Sequence, residues 1–243
     1  MSTPLLETKG LSKRFGGVVA VDRVDFTLEA GELRCLIGPN GAGKSTFFKL
    51  LTGQLQPTSG SILFNGSNIT GQPTSKIARR GIGMKMQSPM LFDGLSVFEN
   101  LWVAASRRLA GAEAVRAAEQ TLDRVGLEAV AQTTVGFLSH GQRALVELAI
   151  VLAGDPQLLL LDEPTAGMTA EETIRTADII RTISRRHTMV IVEHDMNFIR
   201  MIASKVTVFH QGSILVEDTM QNVFINQTVR DIYLGHRAQA EHA

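Results

Sequence analysis

Residues 38–46 read GPNGAGKST and fit the spacing G-x-x-x-x-G-K-[ST]. An apolar strand-like run, LRCLI, precedes the stretch and a helical run, STFFKLLTG, follows it. Such a loop suits one kind of chemistry. Gly41 and Gly43 permit backbone conformations that turn amide N–H groups inward, and those amides together with a helix N-terminus attract phosphate oxygens. Lys44 supplies a positive charge for β- and γ-phosphates. The Ser45 hydroxyl is a ligand type for Mg²⁺, Thr46 is a donor for an α-phosphate, and Asn40 completes the nucleotide-binding loop. The pattern implies nucleotide binding.

A second acidic element is LLLLDEP, residues 158–164. Its carboxylates would emerge at the C-terminal edge of a buried strand, where open α/β sheets place their ligands. Asp162 is suited to hold Mg²⁺ through water, and Glu163 to polarise a water for attack on a γ-phosphate. Pro164 stops the strand. Alone, this pair also reads as a charged turn; beside a phosphate loop it reads as hydrolytic machinery. A third stretch, LSHGQR at 138–143, heads the apolar run ALVELAIVLAG. Ser139 and Gln142 match the S-x-x-Q capping box. Leu145, Leu148, Ala149 and Leu152 fall on one face, and Gly154 and Pro156 supply a stop. A helix start carrying a serine hydroxyl and Gly141 is also an anion site. The chain therefore offers two places for phosphate.

The elements that must hold these residues follow from the hydrophobic pattern. LRCLIG, SILF, GIGMKM, LLLLD, TMVIVE, KVTVFH and SILVED read as strands. The wholly apolar runs LLLLD and MVIVE predict strands buried on both faces, as in a parallel sheet covered by helices. The block 88–154 breaks this alternation. VFENLWVAASRRL, AEAVRAAEQTLDRVG and the run after Ser139 have helical spacing, and no strand is evident. Expected is an α/β core over 1–87 and 155–243 with an inserted helical subdomain at 88–154. Thr169 and Glu172 form T-x-x-E ahead of EETIRTADIIRTIS, a capping box read as structural. Trp102 is assigned first to core packing, with a place beside a membrane partner as the second reading.

The 243 residues suffice for a sizeable core, and 44% apolar with 20% charged residues argues against wholesale disorder. Twenty-four basic side chains balance twenty-four acidic ones, which gives no electrostatic reason to expect a nucleic-acid partner. The single cysteine, Cys35, can form no intrachain disulfide and lies in an apolar run, so a buried small side chain is expected. MSTPLLETKGLSKRF has no apolar signal-peptide core, and no stretch reaches the roughly 18 apolar residues of a membrane span. RAQAEHA reads as a frayed tail.

Taken in order, KRFGG, GPNGAGKST, KMQSP, LSHGQ, LLLLDEP and VEHDM resemble the ATPase subunits of ATP-binding cassette (ABC) transporters over nearly the whole chain. The resemblance implies a P-loop NTPase core with a mostly parallel sheet, an N-terminal antiparallel β subdomain and the helical insertion. It also implies roles. Phe15 would stack on adenine; from the residues alone it is a half-buried turn aromatic. Gln87 would contact Mg²⁺ and the attacking water. His194 would contact the γ-phosphate and help place Glu163; alone it is a strand-end histidine. Ser139 and Gly141, with Gln142, would hold the γ-phosphate of ATP bound to an opposite subunit. His140 stands where the family most often has glycine, and TAGM at 165–168 lacks the usual aspartate.

A narrower resemblance joins ELRCLIGPNGAGKST, DEPTAGMTAEET, IVEHDM, ASKVTVFHQGSIL and RDIYLG to ATPases of branched-chain amino acid uptake, and most of all to the branch associated with urea or short amides. GMKMQSP departs from it at Met84 and Met86, where arginine and phenylalanine are commoner. Implied are ATP and Mg²⁺, a second cassette in a homo- or heterodimer, transmembrane permeases, an indirect substrate-binding protein, and a place on the cytoplasmic face of the membrane. The competing class is a soluble cassette ATPase that transports nothing.

Overall fold

A computed structural model describes residues 3–85 and 91–232. The chain divides into two units, 1–80 with 188–243, and 81–187. The first begins with β1 (Leu6–Phe15), β2 (Val18–Leu28), β3 (Leu33–Ile37), α1 (Lys44–Leu51), β4 (Ser59–Phe64), β5 (Ser67–Asn68) and α2 (Thr74–Arg79). The second comprises β6 (Ile82–Lys85), α3 (Val97–Ala105), α4 (Gly111–Val125), α5 (His140–Ala153), β7 (Leu158–Asp162) and α6 (Ala170–Ser184), with 3₁₀ turns at Glu128–Val130 and Val135–Phe137. The first unit is then completed by β8 (Thr188–Val192), α7 (Met196–Ile202), β9 (Lys205–His210), β10 (Ser213–Thr219) and α8 (Met220–Ile225).

In the first unit an antiparallel sheet runs β2-β1-β4-β5. β1 and β2 are absent from the strand-like runs read in the sequence. Their pairing shifts register between Thr8 and Leu11 and twice more before Arg14. Shifts re-aim side chains, and β1 loses its period of two where Leu11 and Ser12 are both buried, whereas β2 alternates cleanly from Val24 to Leu28. The other strands run β10-β9-β3-β8. β3 is parallel to both β8 and β9, whereas β9 and β10 form an antiparallel hairpin. Its two-residue loop, Gln211–Gly212, has φ of 48° and 81°, as a type I′ turn requires. Every residue of β3 and β8 is buried, the burial expected of a central parallel strand, and Cys35 lies wholly inside. Burial first, then the Glu193 charge, pushes the Cys35 thiol far above its ordinary value, so the thiolate is suppressed.

Two features fasten the elements around the phosphate loop. The rings of Phe26, Phe47 and Phe209 pack in series, with centroids 5.5 and 5.3 Å apart, joining β2, α1 and β9. Arg34 in β3 is fully buried. It pairs with Glu32 at 2.6 Å and with Glu217, and it donates to the Thr207 hydroxyl at 2.8 Å. Burial alone would raise the Glu217 pKa. The Lys205 hydrogen bond, the Arg34 charge and the Thr207 hydroxyl outweigh it and hold the carboxyl below its ordinary value. A depressed native pKa gives stability that is full above the unfolded-state value and is lost as pH falls through the native one. Arg34→Met should cost about 3–5 kcal/mol, because it strands carboxylates that guanidinium had paired. Chemical denaturation at neutral pH checks this, and the deficit should shrink once Glu217 protonates in acid.

In the second unit β6 and β7 are parallel neighbours. The three long helices before β7 meet through small side chains, Ala105, Ala114 and Ala153, which let their backbones approach. Lys85 at the end of β6 pairs with Glu147 of α5 at 3.1 Å, with both side chains about nine-tenths buried. Across the described part of 88–154 the extended pairing is one isolated bridge, Ser96 to Thr134. Capping boxes form at Ser96, Ser139 and Thr169, the last two as the spacing predicts. Trp102 corrects the sequence reading. It is 41% exposed, because α3 buries the stripe Val97, Asn100, Leu101 and Ala105 and Trp102 lies off that stripe. Among the described residues no helix is long and apolar enough to cross a membrane.

Candidate active site

The phosphate loop connects β3 to α1, as its flanking pattern predicts. Gly43 is the N-cap of α1 with φ 103°, and a Cβ there would collide with the Ala20 carbonyl oxygen, so only glycine fits. Gly41 has φ 78° with open space where a side chain would lie. The exposed Asn40 precedes it. Lys44, Ser45 and Thr46 form the first turn of α1, whose leading amides have no partner within the helix. The Lys44 ammonium donates to the carbonyls of Gly38 at 2.6 Å and Pro39 at 3.0 Å, and so folds back over the loop. The leading amides of α1 with an ammonium folded back beside them match the demands of a polyphosphate.

The first unit also carries Phe15 and His194. Phe15 ends β1, is 47% exposed and has the Lys13 ammonium 5.0 Å from its ring centroid. An exposed ring at a strand end can accept a stacked base. His194 follows β8 with its side chain 69% exposed. The residue before it, Glu193, is 1% exposed and accepts the His194 amide at 3.0 Å. Its Oε2 lies 3.9 Å from the His194 Nδ1. Asp195 then caps α7 through the amides of Asn197 and Phe198. The turn is thus pinned on both sides of the histidine. The sequence reading missed Glu193. Its signal was a carboxylate ending an otherwise apolar strand.

The second unit carries the acidic pair and the LSHGQR stretch. β7 is buried throughout, and Asp162, its last residue, is 5% exposed. Glu163 follows with φ 48°, left-handed backbone that a non-glycine residue adopts at a cost of about 1–3 kcal/mol. Pro164 adds to that cost, since the residue before proline avoids helical backbone. Strain of this kind gathers where a side chain must be aimed. At α5 the Ser139 Oγ accepts the Gln142 amide at 3.2 Å, and the Gln142 side chain accepts the Ser139 amide at 3.0 Å. The Ser139 O–H hydrogen remains available to a ligand. Ser139 is exposed, whereas Gly141 is buried. His140 lies over Gly167, where a Cβ would sit 2.7 Å from its Nε2. Gln87 lies outside the described residues.

Residues 21–166 match the family described as ABC transporter. The chain belongs to the ABC transporter family. The cassette is 38% identical over 97% of its length, and 99% of the relative's, to the high-affinity branched-chain amino acid transport ATP-binding protein BraF of Pseudomonas aeruginosa. It is 36% identical, with the same coverage, to the corresponding protein LivG of Escherichia coli K12. Among solved structures it resembles an ATP-binding cassette of an ABC transporter in its ADP conformation, with TM-score 0.85 and 26% identity over 96% of this cassette and 100% of that chain. It also resembles a dimeric cassette in a post-hydrolysis state bound to ADP and Pi, with TM-score 0.78 and 25% identity over 88% of this cassette and 98% of that chain. These likenesses establish the α/β cassette fold, with its parallel strands, antiparallel β sheet and helical block.

Proposed function

We propose that the cassette hydrolyses ATP to ADP and phosphate and thereby powers uptake of branched-chain amino acids through transmembrane permeases. The observation that carries this reading is end-to-end similarity to branched-chain amino acid transport proteins with the phosphate loop and acidic pair both intact. Urea and short amides are the competing solutes. Two cassettes, identical or paired with a similar chain, would close around two ATP molecules on the cytoplasmic face of the membrane. The solute would arrive through a binding protein outside it.

In this mechanism Lys44 and the loop amides hold the β- and γ-phosphates, and Phe15 stacks on adenine. Glu163 takes a proton from the attacking water, and His194 and Gln87 fix that water against the γ-phosphate. Ser45 and Asp162 offer the hard oxygen donors that Mg²⁺ prefers, and the bound ion would supply charge neutralisation at the phosphate oxygens. Most of the acceleration comes from positioning and electrostatics.

Purification with membrane permeases, followed by ATP-dependent leucine uptake into proteoliposomes, tests the reading. Uptake of urea instead of leucine would move the solute class. Purification as a free complex lacking a membrane partner would favour a non-transport ATPase. A finer test concerns α5. Ser139→Ala should weaken ATP-driven dimerisation about tenfold and leave ATP affinity of the monomer unchanged, in keeping with loss of one hydrogen bond to a charged group. Equal losses in both would return Ser139 to capping alone.

A further inference from the structure

The first turn of α5 is already in contact with an anion of its own chain. Gly141 is buried although Ser139 and His140 on either side of the turn's start are exposed. What covers it is the carboxylate of Glu172, the third residue of α6. A Cβ on Gly141 would collide with Oε1 and sit 2.8 Å from Oε2. The two oxygens have different surroundings. Oε2 accepts the Thr169 amide at 2.9 Å and the Thr169 hydroxyl at 3.1 Å, which completes the capping box of α6. Oε1 lies against Gly141. Nearby, the His140 ring covers Gly167. Two glycines, one from each segment, thus let the start of α5 and the start of α6 interlock.

Capping does not require this charge. The equivalent position in the α5 box is filled by a glutamine, Gln142, which makes the same reciprocal bonds. A carboxylate at Glu172 therefore brings something beyond a cap, namely a negative charge beside Gly141 in the first turn of α5.

We propose that Glu172 is an affinity-setting residue for ATP-driven closure: its carboxylate lies against Gly141, beside the proposed phosphate cradle, and must tolerate or yield to the γ-phosphate presented by a second cassette. The inference rests on the proposed role of Ser139 and Gly141 toward the opposite nucleotide. On closure a phosphate arrives beside the carboxylate, and like charges a few ångströms apart repel. Closure then requires the carboxylate to swing aside or to tolerate the repulsion. The exchange of one anion for another sets the ATP concentration at which two cassettes meet. It also ties Glu172, nine residues after Glu163, to the serine that serves the other nucleotide.

Glu172→Gln is the test, because it keeps side-chain shape and capping capacity and removes only the charge. ATP-driven dimerisation is followed by sedimentation in a Glu163→Gln background that preserves bound ATP. The charge-free variant should dimerise about three- to tenfold more tightly, the range expected for a like charge at this separation in a water-rich setting. Its advantage should shrink as salt is raised, and monomer ATP affinity should not change. A purely structural role for Glu172 would give no salt-dependent gain. Dimerisation that is unchanged or weaker in Glu172→Gln, while Ser139→Ala weakens it, overturns the proposal and leaves the cradle standing. If Ser139→Ala has no effect on dimerisation, the cradle reading itself fails.

Discussion

Glu163→Gln is expected to lower ATP turnover by about 10²- to 10⁴-fold while ATP affinity stays within a factor of two. That loss corresponds to about 3–5 kcal/mol of transition-state stabilisation. The argument starts from the backbone. β7 delivers a buried apolar run to its C-terminal edge, and the chain there turns through Glu163 in left-handed geometry before Pro164. Glutamine has the same length and bears the same strain, so the fold and the melting temperature should not move. What it lacks is a carboxylate able to take a proton from water. Single-turnover phosphate release, read beside an ATP titration, separates the two quantities. Turnover within tenfold of the parent would remove Glu163 from the role of general base.

Lys44→Ala is expected to weaken ATP binding by about 10²-fold or more, with hydrolysis falling in step at limiting ATP. A hydrogen bond to a charged group is worth about 1.5–3 kcal/mol, and the lost Coulomb attraction to a polyphosphate adds to it. The Lys44 ammonium also bonds the carbonyls of Gly38 and Pro39, so its loss frees the front of the loop as well. Lys44→Arg should not rescue it, because the cradle takes a compact point charge and guanidinium is a wide planar fork. Isothermal titration with ATP, and with ADP for comparison, measures both variants. Unchanged ATP affinity in Lys44→Ala would contradict the assignment of the loop.

Arg34 shows a kind of importance that motif reading passes over. It is the second residue of LRCLI, the strand that leads to the phosphate loop, where a charged residue looks like an interruption of the apolar pattern. The structure explains the interruption. Glu32, Thr207 and Glu217 surround the guanidinium from β9, β10 and the approach to β3, so the charge holds in place the strand that presents the phosphate loop. Glu193 is similar, a buried carboxylate whose partners are backbone amides of the very turn that carries His194.

Much of this protein was written locally in its sequence. GPNGAGKST needs only its glycines, its lysine and a strand and helix on either side, all within some twenty residues. The capping boxes at Ser139 and Thr169 span four residues each, and the apolar strands LLLLD and TMVIVE announce their burial by composition alone. Local spacing suffices in these cases because the interactions close within one turn or one strand. Other features depend on residues far apart in the chain. The register of β1 shifts because it must fit its partner, and that breaks its alternation at Leu11 and Ser12. Trp102 faces outward because the packing of α3 chose another stripe. The carboxylate of Glu172 meets Gly141 across thirty-one positions of sequence. A capping pattern predicts where its Oε2 goes; only the approach of α6 to α5 decided what its other oxygen would cover.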